Sequence, residues 1–345
     1  MARIELFAIG ASAGGLEALE RIVANLPADF PAAICVVVHV AANSPGLIPE
    51  IISSHGPLQA THAEDGMLLT GGGIFVAPPD HHLLIDQGGK LRLGRGPKEN
   101  RFRPAIDPLF RSAARAFEQR AAGIILSGGL DDGVAGLIAI QRCGGAVIVQ
   151  DPADAAAPSM PLAALRALDP DKQLPADGIA HAMTELATVS TRRVARQKPI
   201  KEDLDREISI AAGADSHPID VLQVGEPSLL TCPDCHGVLV RLRDSEPARY
   251  RCHTGHAYTV ESLLSAMRDR VENTLWDSIR CLEEYAALLE HAATHKEARQ
   301  AEDDMQIVRE VRRRSGIVRD LVKAEDQEPA ASPATPAHPA RARRS

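Results

Sequence analysis

The stretch Leu6-Phe7-Ala8-Ile9-Gly10-Ala11-Ser12-Ala13-Gly14-Gly15-Leu16-Glu17-Ala18-Leu19 decides how the chain is built. An apolar run ends at Gly10, and Leu16, Leu19 and Ile22 then recur at helical spacing, which reads as strand, sharp turn, helix with Ser12 at the bend. Gly10, Ser12 and Gly14 spell G-x-S-x-G, in which flanking glycines permit a strained turn that lifts the serine oxygen clear of the sheet. The same turn aims helix N-terminal amides, Ala13 first, at a negative oxygen forming beside Ser12. Two plainer readings stand beside this one. A dinucleotide fingerprint would want glycine where Ser12 lies, and an acidic residue where the second strand ends in His39. A serine ahead of a helix also serves as an ordinary cap.

Composition narrows the classes. The chain has 345 residues, 45% of them apolar and only 3% aromatic, so a large core must rest on Ala, Val, Leu and Ile. A formal net charge of -8 argues against a mainly electrostatic nucleic-acid binder. The N-terminus goes directly into a strand rather than a signal sequence, and the apolar run around Ala32 to Ala42 is too short to span a bilayer. The expectation is a cytoplasmic protein without membrane insertion. Six cysteines in so long a chain do not form a disulfide framework, and three of them cluster at metal-like spacing.

Farther along, Ala33 to His39 is a continuous β-branched run, as a strand buried on both faces of a parallel sheet requires. Gly73 to Pro79 and His82 to Asp86 are short strands, and Gln87-Gly88-Gly89 turns the chain into Lys90 to Leu93. That hairpin breaks the β-α alternation and reads as an antiparallel edge, with His81 and His82 at the surface. Leu109, Phe110, Ala113, Ala114 and Phe117 line one face of a helix from Asp107. Ala121 to Ser127 is another buried strand, emptying into Gly128-Gly129-Leu130-Asp131-Asp132-Gly133 before a helix near Val134. A strand over Gly145 to Gln150 and helices over Pro161 to Leu168 and Ile179 to Val189 complete a doubly wound, mostly parallel α/β domain over residues 1–192.

Ser12, His39 and Asp132 each follow a predicted strand at its carboxyl end, where one sheet gathers them to one crevice. They are the residue types of an acyl-transfer site: a nucleophile, a base that takes its proton, and a carboxylate that orients the base. Asp131 competes with Asp132 for the third role, and the pattern alone leaves both open. The order Ser, His, Asp differs from that of the ordinary α/β-hydrolases.

These motifs carry a family resemblance. Ile9 to Gly15, the strand ending in His39, Ala63-Glu64-Asp65-Gly66, Val76 to Leu83, Arg103 to Phe110, Leu126 to Gly133 and Gln150-Asp151-Pro152 together resemble the catalytic domain of the CheB-type chemoreceptor methylesterases over about residues 3 to 190. The resemblance implies hydrolysis of glutamate methyl esters on receptor helices, releasing methanol, and deamidation of receptor glutamines, without a catalytic cofactor. By motif, Ser12 matches the family nucleophile, His39 its base and Asp132 its orienting acid, with Ala13 and Gly129 as oxyanion-hole candidates. The chain departs from the family in three ways. Its loop reads Gly-Gly-Leu-Asp-Asp-Gly rather than Gly-Met-Gly-Asn-Asp-Gly, so Leu130 replaces a glycine and Asp131 adds a negative charge. Ser159-Met160-Pro161 replaces Gly-Met-Pro, and the third departure is the expectation that this catalytic segment works without an attached receiver domain. Regulation by a separate response regulator is the expectation.

Residues 193–230 read as a linker with one short helix over Asp203 to Ala212. Cys232-Pro233-Asp234-Cys235 and Cys252-His253-Thr254-Gly255-His256 then bracket a predicted hairpin, which is the spacing of a structural zinc ribbon over residues 231–258. Cys232, Cys235 and Cys252 are three ligands, and His256 makes a better fourth than His253 because the loop can curl back over three residues. A redox C-x-x-C is disfavoured by the lack of a surrounding β-α-β unit. Apolar residues at three- and four-residue steps then predict a helical hairpin over residues 259–326, which packs on itself, forms a homodimer or docks a partner. Residues 327–345, rich in Pro, Ala and Arg, read as a disordered tail.

The combined reading is a methylesterase-like serine hydrolase acting on a methylated chemoreceptor or related signalling protein. The alternatives are a catalytically spent scaffold that recruits partners through its extension, and an esterase for another carboxyl ester.

Overall fold

The computed structural model describes residues 3–190, 201–213, 221, 225–243, 245, 247–295 and 298–325. The tail read over 327–345 lies outside them, as does much of the 193–230 linker.

Strands β1 (Leu6–Ala11), β2 (Ala33–Val38), β3 (Ala60–His62), β4 (Ile74–Val76), β5 (His82–Ile85), β6 (Leu91–Gly94), β7 (Ala121–Ile125), β8 (Ala146–Gln150) and β9 (Lys172–Leu174) occupy the first half of the chain. Between and after them run helices α1 (Gly15–Ala24), α2 (Ile48–His55), α3 (Ile106–Phe117), α4 (Val134–Arg142), α5 (Ser159–Ala167) and α6 (Ala176–Thr188). Seven strands form one wholly parallel sheet in the order β3-β4-β2-β1-β7-β8-β9.

Every residue of β1, β2, β7 and β8 is buried, because helices cover both faces. Phe7 and Ile9 point into a core shared with Leu19 and Ile22 of α1 and Ile179 and Met183 of α6. Leu6 and Ala8 point the other way, into a core with Leu109 and Phe110 of α3 and Leu137 and Ile140 of α4. Each large apolar side chain so buried contributes about 1.5–3 kcal/mol. The strand order reverses between β1 and β7, which opens a crevice at their carboxyl ends.

The β5–β6 hairpin does not extend the edge of the parallel sheet, as the sequence reading expected; it forms a separate two-stranded sheet. Its Leu83, Ile85 and Leu91 are drawn into the core beneath α3, and the Ile85 amide donates to Ser112 Oγ at 3.1 Å. The sheet edges belong instead to β3 and β9, each three residues long and too short to leave a periodic signal. His82, expected at the surface, is fully buried, with its Nε2 on the Pro97 carbonyl at 3.0 Å.

Within the segment read as a linker, α7 (Lys201–Ala212) packs on α3 and the hairpin and buries Leu204, Ile210 and Ala211. Strands β10 (Gly225–Thr231), β11 (Val238–Leu242), β12 (Arg249–Cys252) and β13 (Ala257–Thr259) then form a four-stranded antiparallel sheet. Residues up to Ala266 make one compact unit. Inside it, buried charges tie α7 and β12 to the α/β core. Arg249 grips Glu207 through two bonds of 2.6 and 2.8 Å, Arg251 reaches Glu99 at 3.1 Å and Glu207 at 3.2 Å, and Arg111 reaches Glu99 at 2.6 Å.

A second unit begins at Met267. Helix α8 (Val260–Ala293) runs across that boundary, and within the second unit it meets helix α9 (Ala298–Glu325) through Ala286, Val308 and Val311, with Leu282, Leu289 and Met305 packed around them.

Removing one member of a buried ion network strands its partners, at a cost of about 3–5 kcal/mol. Glu207→Ala, which leaves three arginines short of an anion, is expected to lower unfolding free energy by about that amount in urea titration.

Candidate active site

The turn after β1 is built as the G-x-S-x-G pattern requires. Gly14 has φ +68°, and a Cβ there would lie 2.5 Å from Ala156 Cβ, so both backbone and space call for glycine. Ser127 Oγ donates to the Ala13 carbonyl at 2.7 Å and accepts the Ala157 amide at 2.8 Å, pinning the turn from the neighbouring strand end. The Ser12 amide donates to the Ser127 carbonyl at 2.9 Å.

Ser12, Ala13 and His39 line one open cleft of about 480 Å³ with Lys98, Phe102 and Arg103. His39 Nε2 lies 2.8 Å from Asp132 Oδ2, with both side chains buried. A carboxylate only accepts, so the ring proton belongs on Nε2 and the lone pair on Nδ1. That Nδ1 is buried and has no hydrogen-bond partner, which is costly unless something approaches it. Phe102 stacks on the imidazole, centroids 3.7 Å apart and planes within 7°, and fixes its tilt.

Asp132 is buried behind His39 and is richly supplied with donors. Besides His39, it takes the Ile106 amide at 2.6 Å, the Asp107 amide at 3.3 Å, the Gly133 amide at 3.0 Å and Asn100 Nδ2 at 2.8 Å. Two of these amides open α3, whose N-terminus favours a negative charge. Burial by itself would push the Asp132 carboxyl up, but the His39, amide and Asn100 bonds outweigh it and hold it below the usual range.

The neighbouring carboxylate is placed differently. Asp131 does not meet His39; its Oδ1 accepts the Thr259 hydroxyl at 2.7 Å. Leu130 adopts φ +60°, the left-handed region where the resembling family has glycine. Gly129 stands exposed at the loop tip and is not part of the cleft wall that holds Ala13. Asn100, Phe102 and Thr259 were absent from the sequence reading. The motif stretch from Arg103 to Phe110 lies just downstream of the first two, and no spacing signal reaches them.

Away from the cleft, Cys232, Cys235, Cys252 and His256 bring one ligand atom each to within 4.8 Å of one another. Cys235 and Cys252 sulfurs are 3.5 Å apart, and His256 Nδ1 lies 3.4 Å from Cys252 Sγ and 3.8 Å from Cys232 Sγ. A tetrahedron with zinc–sulfur bonds of about 2.3 Å and zinc–nitrogen bonds of about 2.0 Å has edges of about 3.5–3.8 Å, so the four residues fit that ion. His253 turns elsewhere, toward Thr254 Oγ1 at 3.4 Å.

The fold is thus an open, doubly wound α/β sheet in which Ser12 and His39 line a cleft and Asp132 lies behind His39. The family model described as CheB methylesterase matches residues 7–183, and the chain belongs to that family. Among curated proteins, the protein-glutamate methylesterase/protein-glutamine glutaminase 2 of Anaeromyxobacter dehalogenans is 38% identical over 185 residues, covering 54% of each chain. The enzyme numbered 3 from the same organism is 42% identical over 179 residues, covering 52% of each. The chain therefore spans about half the length of these relatives. The crystal structure of the Thermotoga maritima CheB methylesterase catalytic domain superposes with a TM-score of 0.52 at 32% identity, covering 53% of this chain and 98% of that one.

The loop carries a pH signature. Burial pushes the Asp131 carboxyl up to about 7, with the Thr259 hydroxyl pulling the other way. Between about pH 4 and 7 the unfolded chain has released this proton while the folded chain keeps it, so stability falls as pH rises through that window. Burial raises Asp107 to about 7 as well, but that contribution is common to wild type and an Asp131 variant. Asp131→Asn keeps an oxygen for Thr259 and has no proton to lose. Urea unfolding at pH 5 and 8 is expected to show the variant gaining on wild type by on the order of 1–2 kcal/mol at the higher pH.

Proposed function

We propose that this chain is a serine esterase of the protein-glutamate methylesterase type, with Ser12 as nucleophile, His39 as base and Asp132 as the orienting carboxylate. The observation that carries the reading is the buried, unpartnered His39 Nδ1 in the same cleft as Ser12, with Nε2 committed to Asp132. The names of the relatives and the family match supply the substrate class.

In this reading Ser12 Oγ attacks the carbonyl carbon of a glutamate 5-O-methyl ester while its proton passes to His39 Nδ1. The Ala13 amide, in the same cleft as Ser12, meets the tetrahedral oxyanion. Collapse expels methanol, which carries off the proton from His39. Water then attacks the acyl-serine with His39 again as base, releasing the glutamate side chain and restoring Ser12. A glutamine side chain would follow the same path with ammonia as the leaving group. No cofactor enters either sequence.

The substrate is a methylated chemoreceptor or related signalling protein in the cytoplasm, and a separate response regulator supplies control. No described helix is long and apolar enough to cross a membrane. The division into residues 1–192, 193–230, 231–258 and 259–326 belongs to this reading, as does a homodimer through the α8–α9 pair. Cys232, Cys235, Cys252 and His256 hold a structural zinc ion; four protein ligands leave it no open position, so it would stabilise the β10–β13 sheet.

Methanol release from a methylated receptor fragment tests the chemistry. Wild type is expected to release methanol, Ser12→Ala to release none, and His39→Gln to be slower by about 10²- to 10⁴-fold. Metal analysis tests the second site: zinc at one ion per chain is expected, lost in Cys235→Ser together with protease resistance of the β10–β13 segment.

A further inference from the structure

The Glu99–Phe102 turn is an unusual support for a catalytic pair. Asn100 and Arg101 have φ +48° and +78°, so two successive residues that are not glycine occupy the left-handed region. Such a conformation persists only where surrounding contacts over-determine it. Here the contacts come from the C-terminal extension, beyond the family segment. The Asn100 amide donates to the Ala257 carbonyl at 2.8 Å, the Ala257 amide donates to the Lys98 carbonyl at 3.3 Å, and Glu99 is gripped by Arg251.

The Asn100 side chain is buried and bonded at both ends. Its Nδ2 donates to Asp132 Oδ1 at 2.8 Å and to Asp107 Oδ2 at 3.0 Å. Its Oδ1 accepts the Thr259 amide at 3.1 Å and the Ser262 hydroxyl at 3.0 Å. A backbone N–H can only donate, so the atom facing Thr259 must be oxygen, and the amide nitrogen is thereby forced onto the two carboxylates.

We propose that Asn100 is a positioning residue for Asp132 and that Thr259 and Ser262 of the extension set its orientation, so the extension completes the triad. The inference rests on the reading in which Asp132 orients His39. Two paths lead from the turn to the imidazole: Asn100 holds the far oxygen of the carboxylate that binds Nε2, and Phe102 stacks on the ring face. Slackening the extension releases both at once. Without the Ser262 hydroxyl, Asn100 Oδ1 keeps only the Thr259 amide, which Ser262 Oγ also accepts at 2.9 Å.

The test uses the full chain with p-nitrophenyl acetate as a chromogenic ester and a fluorophosphonate as a label for Ser12, with thermal unfolding measured alongside. Ser262→Ala and Asn100→Asp are the variants; the latter keeps an oxygen toward Thr259 but turns an acceptor toward Asp132. Both are expected to lower kcat and the Ser12 labelling rate in parallel, by about ten- to hundredfold, with KM unchanged. Ser262→Thr, which restores the hydroxyl, is expected to recover the rate. A folded Ser262→Ala protein with wild-type kcat and labelling overturns the inference, whatever its melting temperature, and decides alone if Asn100→Asp does not fold. Turnover abolished in Ser12→Ala but intact in Ser262→Ala removes this inference only. Turnover surviving in Ser12→Ala removes the triad reading and the inference together.

Discussion

A carboxylate buried at the switch point of a parallel sheet is the constraint from which much of this structure follows. Taking Asp132 out of water costs several kcal/mol unless hydrogen bonds replace its hydration. The fold gathers five donors around it: the imidazole of His39, the amides of Ile106, Asp107 and Gly133, and the side chain of Asn100. Satisfying them requires β2, α3, the β7–α4 loop and the Glu99–Phe102 turn to converge on one point. The site is therefore as rigid as the least well-held of those elements.

The parts of this convergence that rest on continuous strands were legible in the sequence. Leu6 to Gly10, Ala33 to Val38 and Ala121 to Ile125 are runs that only a doubly covered sheet can bury; Ser12 and His39 directly follow the first two strands, and Asp132 lies in the loop after the third. Asp131 and Asp132 were inseparable by pattern, because adjacent residues on a loop share every periodicity. Geometry separates them: one meets His39, the other Thr259. Asn100 and Phe102 left no signal, since the turn that holds them is irregular and its partners in the extension, Thr259 and Ser262, lie more than 150 positions away. The β5–β6 hairpin was visible as a hairpin, but its placement over α3 depends on which core accepts Leu83 and Ile85.

The basic and acidic side chains beneath the Cys/His sheet are arranged on the same logic as the cleft. Glu99 and Glu207 are buried between Arg111, Arg249 and Arg251, so α7 and β12 are held by charges that tolerate few alternative positions. Replacing such a network with apolar residues is neutral or better for stability in many proteins. Here the network keeps Glu99 in place at one end of the turn whose other end stacks on His39.

The sequence distance spanned by the Asn100–Thr259 bond has a consequence in time. When the ribosome has made the parallel sheet and its helices, the residues that orient Asn100 are still to be translated. Contacts of such separation close late, after the local elements have formed. A nascent chain halted before Thr259 would carry the serine, the histidine and the aspartate, yet lack the last partners that fix their arrangement. Completion of the cleft is thereby deferred until Thr259 and Ser262 have been made.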